Sequence, residues 1–173
     1  MPVQIGPVKS SVDIVDILLA CHDRIRRFCD SAVRLADPGP EAAELGEAAA
    51  RIRYYFRASF PSHVEDEDDT VFPRLHGLDA EVDDALATME RDHEDHAPAL
   101  ARLLALCDAL VEDPRQHAAI AAELNSVAAT LRDGFARHLA MEEATIFPAI
   151  RERLARAVQD EMLYEARARR GDG

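Results

Sequence analysis

His63-Val64-Glu65-Asp66-Glu67-Asp68-Asp69-Thr70-Val71-Phe72-Pro73 returns further along the chain as His138-Leu139-Ala140-Met141-Glu142-Glu143-Ala144-Thr145-Ile146-Phe147-Pro148. Histidine, glutamate, threonine, phenylalanine and proline coincide position by position. On a helix, residues four apart differ in direction by about 40° and lie one turn apart, so His63 with Glu67, and His138 with Glu142, can converge on one ion. His22 and His93 each lie upstream of one copy at a similar distance, so the chain reads as two related helical hairpins.

Outward from the motif, the pattern is helical throughout. A first helix is expected to start at Ser10 or Ser11, with the inward stripe Val12, Val15, Leu18, Leu19, His22, Ile25, Cys29 and Ala32, and to stop before Asp37-Pro38-Gly39-Pro40. A second opens near Glu41 and carries Leu45, Ala48, Ile52, Tyr55, Phe56 and Phe60 on the stripe that reaches His63 and Glu67; Pro61 is expected to kink it and Pro73 to end it. A third runs from about Asp79 to Leu110, with His93 inward and a bend at Pro98. A fourth follows Pro114 through Ile120, Leu124, Leu131, Phe135 and His138, until Pro148 disrupts it.

Short breaks between long amphipathic segments predict an all-α fold, an antiparallel up-down-up-down four-helix bundle over residues 10–150. Residues 151–173 are expected to form a short C-terminal helical tail. The leading Met1 to Lys9 and the charged Arg167 to Gly173 carry little apolar surface and are expected to be mobile.

Composition excludes several classes. With 173 residues, 48% of them apolar, one domain with a real core is the expectation. The 33 acidic residues outnumber the 20 Lys plus Arg, and a formal charge of -13 repels phosphate backbones and anionic lipid, so neither nucleic acid nor membrane is an expected partner. Cys21, Cys29 and Cys107 show no paired motif and read as reduced thiols. With no signal pattern at the N-terminus and no long apolar run, a cytoplasmic location is expected.

Glu67 and Glu142 share stripes with Phe60 and Phe135, and so point inward, where an unpaired carboxylate costs several kcal/mol. No lysine or arginine occupies the same stripes nearby, which leaves metal as the better partner. Four inward histidines and two inward glutamates suggest two ions. The nearest thiol, Cys21, points about 100° away from His22, so a cysteine-rich structural zinc site fits poorly. Imidazole with carboxylate suits iron, manganese or zinc, and two bridging carboxylates with terminal histidines is an arrangement that holds paired irons.

The set His22, His63-x-x-x-Glu67 with Phe72-Pro73, Asp92-His93, and His138-x-x-x-Glu142 with Phe147-Pro148 resembles the hemerythrin-like HHE cation-binding domains over about residues 10 to 150. The resemblance implies His22, His63, His93 and His138 as terminal iron ligands, with Glu67 and Glu142 bridging two Fe ions beside an oxo or hydroxo group. Oxygen-carrying hemerythrins place a further histidine four residues after the helix-three ligand, and Ala97 stands there. His96 is expected to be a surface histidine, His76 and His117 to have no role, Glu65, Asp66, Asp68 and Asp69 to form a solvated face, and Tyr54 and Tyr55 to serve in core packing.

The function expected on this basis is a di-iron protein that binds or reacts with dioxygen, peroxide or nitric oxide, with catalysis left open. The alternatives are an iron- or oxygen-sensing module without turnover, and a Zn or Mn structural bundle. A monomer or weak homodimer is the expected state.

Overall fold

The computed structural model describes residues 12–37 and 41–171; the leading segment Met1 to Lys9, the expected helix start at Ser10 or Ser11 and the Pro38 to Pro40 break lie outside them. Five helical runs follow one another, and no strand is present among the described residues.

The first run, α1 (Ile14–Leu35), starts later than expected. Asp13 caps it by accepting from the Asp16 N–H while Asp16 reaches back to the Asp13 N–H, so two orphan donors of the first turn are satisfied at once. Val12, expected on the inward stripe, is exposed ahead of this cap. Arg151 also binds Asp13 (2.9 Å) and Asp16 (2.8 Å), tying this end to the fourth run. Burial works to raise the Asp13 carboxyl, but Arg151 and the Asp16 N–H outweigh it and hold it below the usual range. Asp13→Ala is expected to cost about 1–2 kcal/mol in urea unfolding at neutral pH. A depressed carboxyl stabilises above its unfolded value and loses that contribution as pH falls, so the gap between variant and parent should close below about pH 4.

Run α2 begins as Ala42–Tyr54, capped by Glu41, and continues through a π segment Tyr55–Ser59, an α turn Phe60–Glu65, a second π segment Asp66–Val71 and a last turn Phe72–Leu75. After a turn in which Gly77 adopts φ 83°, α3 (Ala80–Glu112) starts on the Asp79 cap and runs unbroken past Pro98. A short 3-10 turn, Pro114–Gln116, leads into α4, which comprises His117–Met141, a third π segment Glu142–Ile146 and Phe147–Arg153. Finally α5 (Arg156–Arg169) stands apart as its own helix.

Three prolines expected to kink, end or disrupt helices, Pro61, Pro73 and Pro148, lie inside continuous helical runs. Each follows a phenylalanine: Phe60-Pro61, Phe72-Pro73 and Phe147-Pro148. In each case the phenylalanine N–H bonds the carbonyl five residues back, on Tyr55, Glu67 and Glu142 respectively. A proline in an α-helix lacks the N–H for the i−4 carbonyl and its ring collides with it. The wider π turn moves that carbonyl aside, and the proline then occupies the first turn of the next α segment, where its missing N–H costs little.

Helix α1 packs against α2 and α4, and α3 against α2 and α4. The buried apolar side chains fall into two clusters. One gathers Ile25, Ile52, Phe56, Leu103, Leu131 and Phe135; the other gathers Leu18, Val71, Leu86, Met89, Ile146 and Ile150 together with Met162 and Ala166 of α5. Along α1, His22 falls between Leu18 and Ile25, members of the two clusters, and along α3 His93 follows Met89; on α2 His63 and Glu67 fall between Phe56 and Val71, and on α4 Glu142 falls between Leu139 and Ile146. The polar cluster therefore sits between two hydrophobic layers.

As far as Gly171 the C-terminal segment is tied down rather than loose, and the last two residues of the expected mobile stretch, Asp172 and Gly173, lie outside the described residues. Arg169 (2.9 Å) and Arg170 both bind the fully buried Asp66, while Arg74 and Thr70 bind Glu165 at 2.6 and 2.8 Å. Asp66, expected on a solvated face, is 0% exposed because these two arginines meet it from α5 and the turn that follows.

Candidate metal centre

His22 on α1, His63 and Glu67 on α2, His93 on α3, and His138 and Glu142 on α4 come together in one cluster. The glutamates are 1% and 0% exposed. Each glutamate oxygen faces one imidazole Nε2. His63 and His93 stand 3.1 and 3.2 Å from the two oxygens of Glu67, and His138 and His22 stand 2.7 and 3.1 Å from those of Glu142. Ligand atoms of His22, His63, Glu67 and Glu142 lie within 4.8 Å of one another, as do those of Glu67, His93 and His138.

Only the His22 to Glu142 contact has hydrogen-bond geometry. Both oxygens of Glu67 and Oε1 of Glu142 are buried without a donor aimed at them. Buried carboxylate oxygens without donors are costly, and imidazole nitrogens gathered around them off the hydrogen-bond line match lone pairs converging on a shared cation. The donor set of imidazole nitrogen and carboxylate oxygen, with no thiolate in the cluster, suits a divalent first-row metal, so the residues present fit a metal site.

The electrostatics of the bare cluster are divided. Burial, and then the negative charge of Glu142, push the Glu67 carboxyl well above the usual range. Burial acts the same way on Glu142, but His138 and His22 outweigh it and hold that carboxyl far down. Burial lowers His63 to about 3 and also lowers His93. For His138 burial opposes the charged form, yet Glu142 and Asp92 prevail and raise it. One carboxyl thus favours its neutral form and the other its charged form beside two imidazoles, the division expected of two adjacent buried acids.

Behind the cluster, three imidazoles present Nδ1 to a further carboxylate: His22 to Glu143 (2.8 Å), His138 to Asp92 (3.1 Å) and His93 to Asp68 (3.4 Å). Arg26 in turn binds Glu143 at 2.7 Å. Such partners fix which nitrogen carries the proton and orient the ring. These roles for Glu143 and Asp68 escaped the sequence reading, which placed Asp68 on a solvated face. Spacing did carry a signal, since Glu143 and Asp68 each follow a cluster glutamate directly. Among the four cluster histidines His63 alone has a buried Nδ1 with no partner, a condition that the nearby His96 Nδ1 shares.

His96 is not a free surface histidine. Its ring lies 4.8 Å from Phe135 and stands edge-on to His138 at 5.8 Å, and burial lowers its imidazole. It fits because residue 134 is glycine, where a Cβ would lie 2.6 Å from His96 Nε2. Ala97 is exposed. His76 is exposed as well, and His117 binds the Leu35 carbonyl at 2.8 Å, away from the cluster. Tyr55 stacks on Phe28 at 4.0 Å in the core, whereas Tyr54, also expected there, is 70% exposed. The three cysteines are free and buried, and burial pushes the Cys29 and Cys107 thiols up to about 12.

Two spaces adjoin the cluster. A narrow one, lined by Ile25, Phe60, Phe135 and Leu139 opposite His63, Glu67, His93 and His138, is nowhere wide enough for a water molecule. An open pocket of about 350 Å³ lies on the far side of His63. A larger cleft of about 470 Å³ between α1 and α2, near Leu35 and Leu45, is remote from this chemistry.

This chain belongs to the hemerythrin HHE cation binding domain family, whose model matches residues 13–150. It is also similar to an uncharacterized protein of Haemophilus influenzae, strain Rd, at 28% identity over 160 residues, a match that covers 90% of this chain and 89% of the relative. No helix among the described residues is long and apolar enough to cross a membrane.

Proposed function

We propose that the chain is a non-haem di-iron protein that binds or reacts with dioxygen, peroxide or nitric oxide. The observation that carries this reading is the pairing of each glutamate with two imidazoles, one per oxygen, in a buried cluster whose oxygens lack donors. On this reading His22 and His63 would hold one iron and His93 and His138 the other, each with help from Glu67 and Glu142. Iron supplies direct binding of such small molecules and exchange of electrons with them.

The protein's own residues do the rest. Glu143, Asp92 and Asp68 keep three imidazoles oriented with Nε2 toward the cluster. Ile25, Phe60, Phe135 and Leu139 keep bulk water from the His93 and His138 side. Ala97 offers no further imidazole on α3, which argues against the donor set of the oxygen carriers. Helices α1 to α4 form an up-down-up-down antiparallel bundle on this reading, supported by their packing in the order α1, α2, α3, α4 and back to α1. The bundle over residues 10–150 is the metal-holding domain and residues 151–173 its helical tail, in a cytoplasmic protein that is a monomer or weak homodimer.

Metal analysis and an optical spectrum of protein made with sufficient iron test the proposal. Two irons per chain and charge-transfer absorption in the visible after oxidation are expected. Zinc or manganese at the same stoichiometry, with no visible band after iron reconstitution, would overturn the iron assignment. Peroxide and nitric oxide assays on the loaded protein then separate turnover from reversible binding.

A further inference from the structure

The pocket beyond His63 has an unusual lining for so acidic a chain. Arg24, Arg169 and Arg170 meet there with the side chains of Ser59, Ser62 and Tyr55. Arg169 and Arg170 share a single carboxylate, Asp66. Arg24 bonds the Ala20 carbonyl at 3.2 Å and approaches the Cys21 sulfur at 3.9 Å, and meets no carboxylate among the described residues. Three guanidiniums therefore face one acid, in a molecule with a net charge of -13. His63, 2% exposed, forms part of the wall, and its unpartnered Nδ1 lies across the ring from the nitrogen that faces Glu67.

The other three cluster histidines each have an acid behind them, and His63 instead has a basic pocket. We propose that this pocket binds a small oxyanion, which accepts from the His63 Nδ1–H and from the Arg24 and Arg170 guanidiniums. The anion completes at His63 what Glu143, Asp92 and Asp68 do at His22, His138 and His93. Charge-assisted bonds from guanidinium to an oxyanion are among the stronger hydrogen bonds available, and the hydroxyls of Ser59 and Ser62 offer further donors. An acceptor on Nδ1 also fixes the His63 proton there and leaves the Nε2 lone pair toward Glu67, so the exogenous anion tunes how well His63 holds a metal. Only this last consequence rests on the di-iron reading; anion binding itself does not.

The test uses inorganic phosphate and acetate as separate probes. Histidine-labelled, metal-free full-length protein is titrated with each while the ring-nitrogen resonances are followed, and as-isolated protein is titrated calorimetrically. A saturable shift at His63 Nδ1, with one phosphate or acetate per chain and a Kd of about 1 mM or tighter, is expected. Arg24→Gln, which removes no ion pair of the fold, should weaken binding by about tenfold while the spectrum stays folded. Saturation by phosphate alone assigns the site to tetrahedral oxyanions, and saturation by both assigns it to oxyanions generally. Absence of a His63 shift with either probe, or calorimetric affinity that Arg24→Gln leaves untouched, as for an anion bound directly to metal, overturns the proposal. Because the resonance experiment needs no metal, it can succeed where metal loading fails and fail where loading succeeds.

Discussion

Glu142→Ala should yield a folded chain that holds less than one metal ion where the parent holds two. Glu142 meets His138 at 2.7 Å and His22 at 3.1 Å, so its loss strips both proposed positions of a shared oxygen and leaves His22 and His138 without their partner. His63→Ala should have a similar effect on one position and a secondary effect on the other. The neighbouring Glu143 supplies an internal comparison. It touches His22 only from behind, so Glu143→Ala should lower affinity by roughly 10–100-fold while full loading stays attainable at high metal. Metal per chain after dialysis, together with the visible absorption, reads all three variants. Two metals retained in Glu142→Ala would sink the proposed ligand set.

Glu67→Gln should move the metal-free and metal-loaded proteins in opposite directions. In the bare cluster Glu67 is buried beside the ionised Glu142 with neither oxygen given a donor. Glutamine keeps the shape, removes the ionisable group and brings an N–H donor. Melting of the metal-free variant should therefore rise, by about 2–4 °C for each kcal/mol recovered in a chain of this size. The increment that metal adds to the parent should vanish, since a ligand that binds only the folded state stabilises it by mass action. The pH dependence has a definite sign. A carboxyl raised in the folded state gives its full contribution below its unfolded value, near 4.5, and loses it as pH climbs through the raised folded value. The advantage of Glu67→Gln should thus be small at pH 4.5 and grow toward neutrality. His63, held near 3, acts in the reverse sense: its contribution is present above about 6.5 and declines as pH falls, but it does so in both proteins. An advantage that shrinks as pH rises would refute the account.

The cluster was legible because spacing within one helix reports direction. His63 and Glu67 had to share a face, as did His138 and Glu142, and the stripes carrying Phe60 and Phe135 said that this face was inward; the structure brings these four to one place with His22 and His93. What spacing cannot report is which side chain a neighbouring helix supplies. Asp66 lies in a run of acids that reads as solvated, and only the return of α5 with Arg169 and Arg170 makes its burial affordable. Glu143 was passed over, His96 misjudged, and the contact that the exposed Asp68 makes with His93 missed for the same reason: each depends on a partner at long sequence separation, His22, His138 and His93 respectively. The local effect of proline was misread for a different reason. Phe-Pro was read with α-helical rules, under which proline terminates, whereas a π turn ahead of it removes the conflict.

Those π turns bear on how the chain tolerates changes of length. A π segment holds one residue more than the α-helix it interrupts, and the packing on either side is already in phase across it. Removing a single residue elsewhere in α2 or α4 would rotate everything downstream by about 100° and turn the core face outward. Removing Asp69 or Ala144, within the second and third segments, would let the backbone relax to α-helix with Phe56 and Leu75, or Phe135 and Ile150, still facing the interior. A frame of this kind can lose or gain a residue beside its most demanding side chains while its scaffold stays in register.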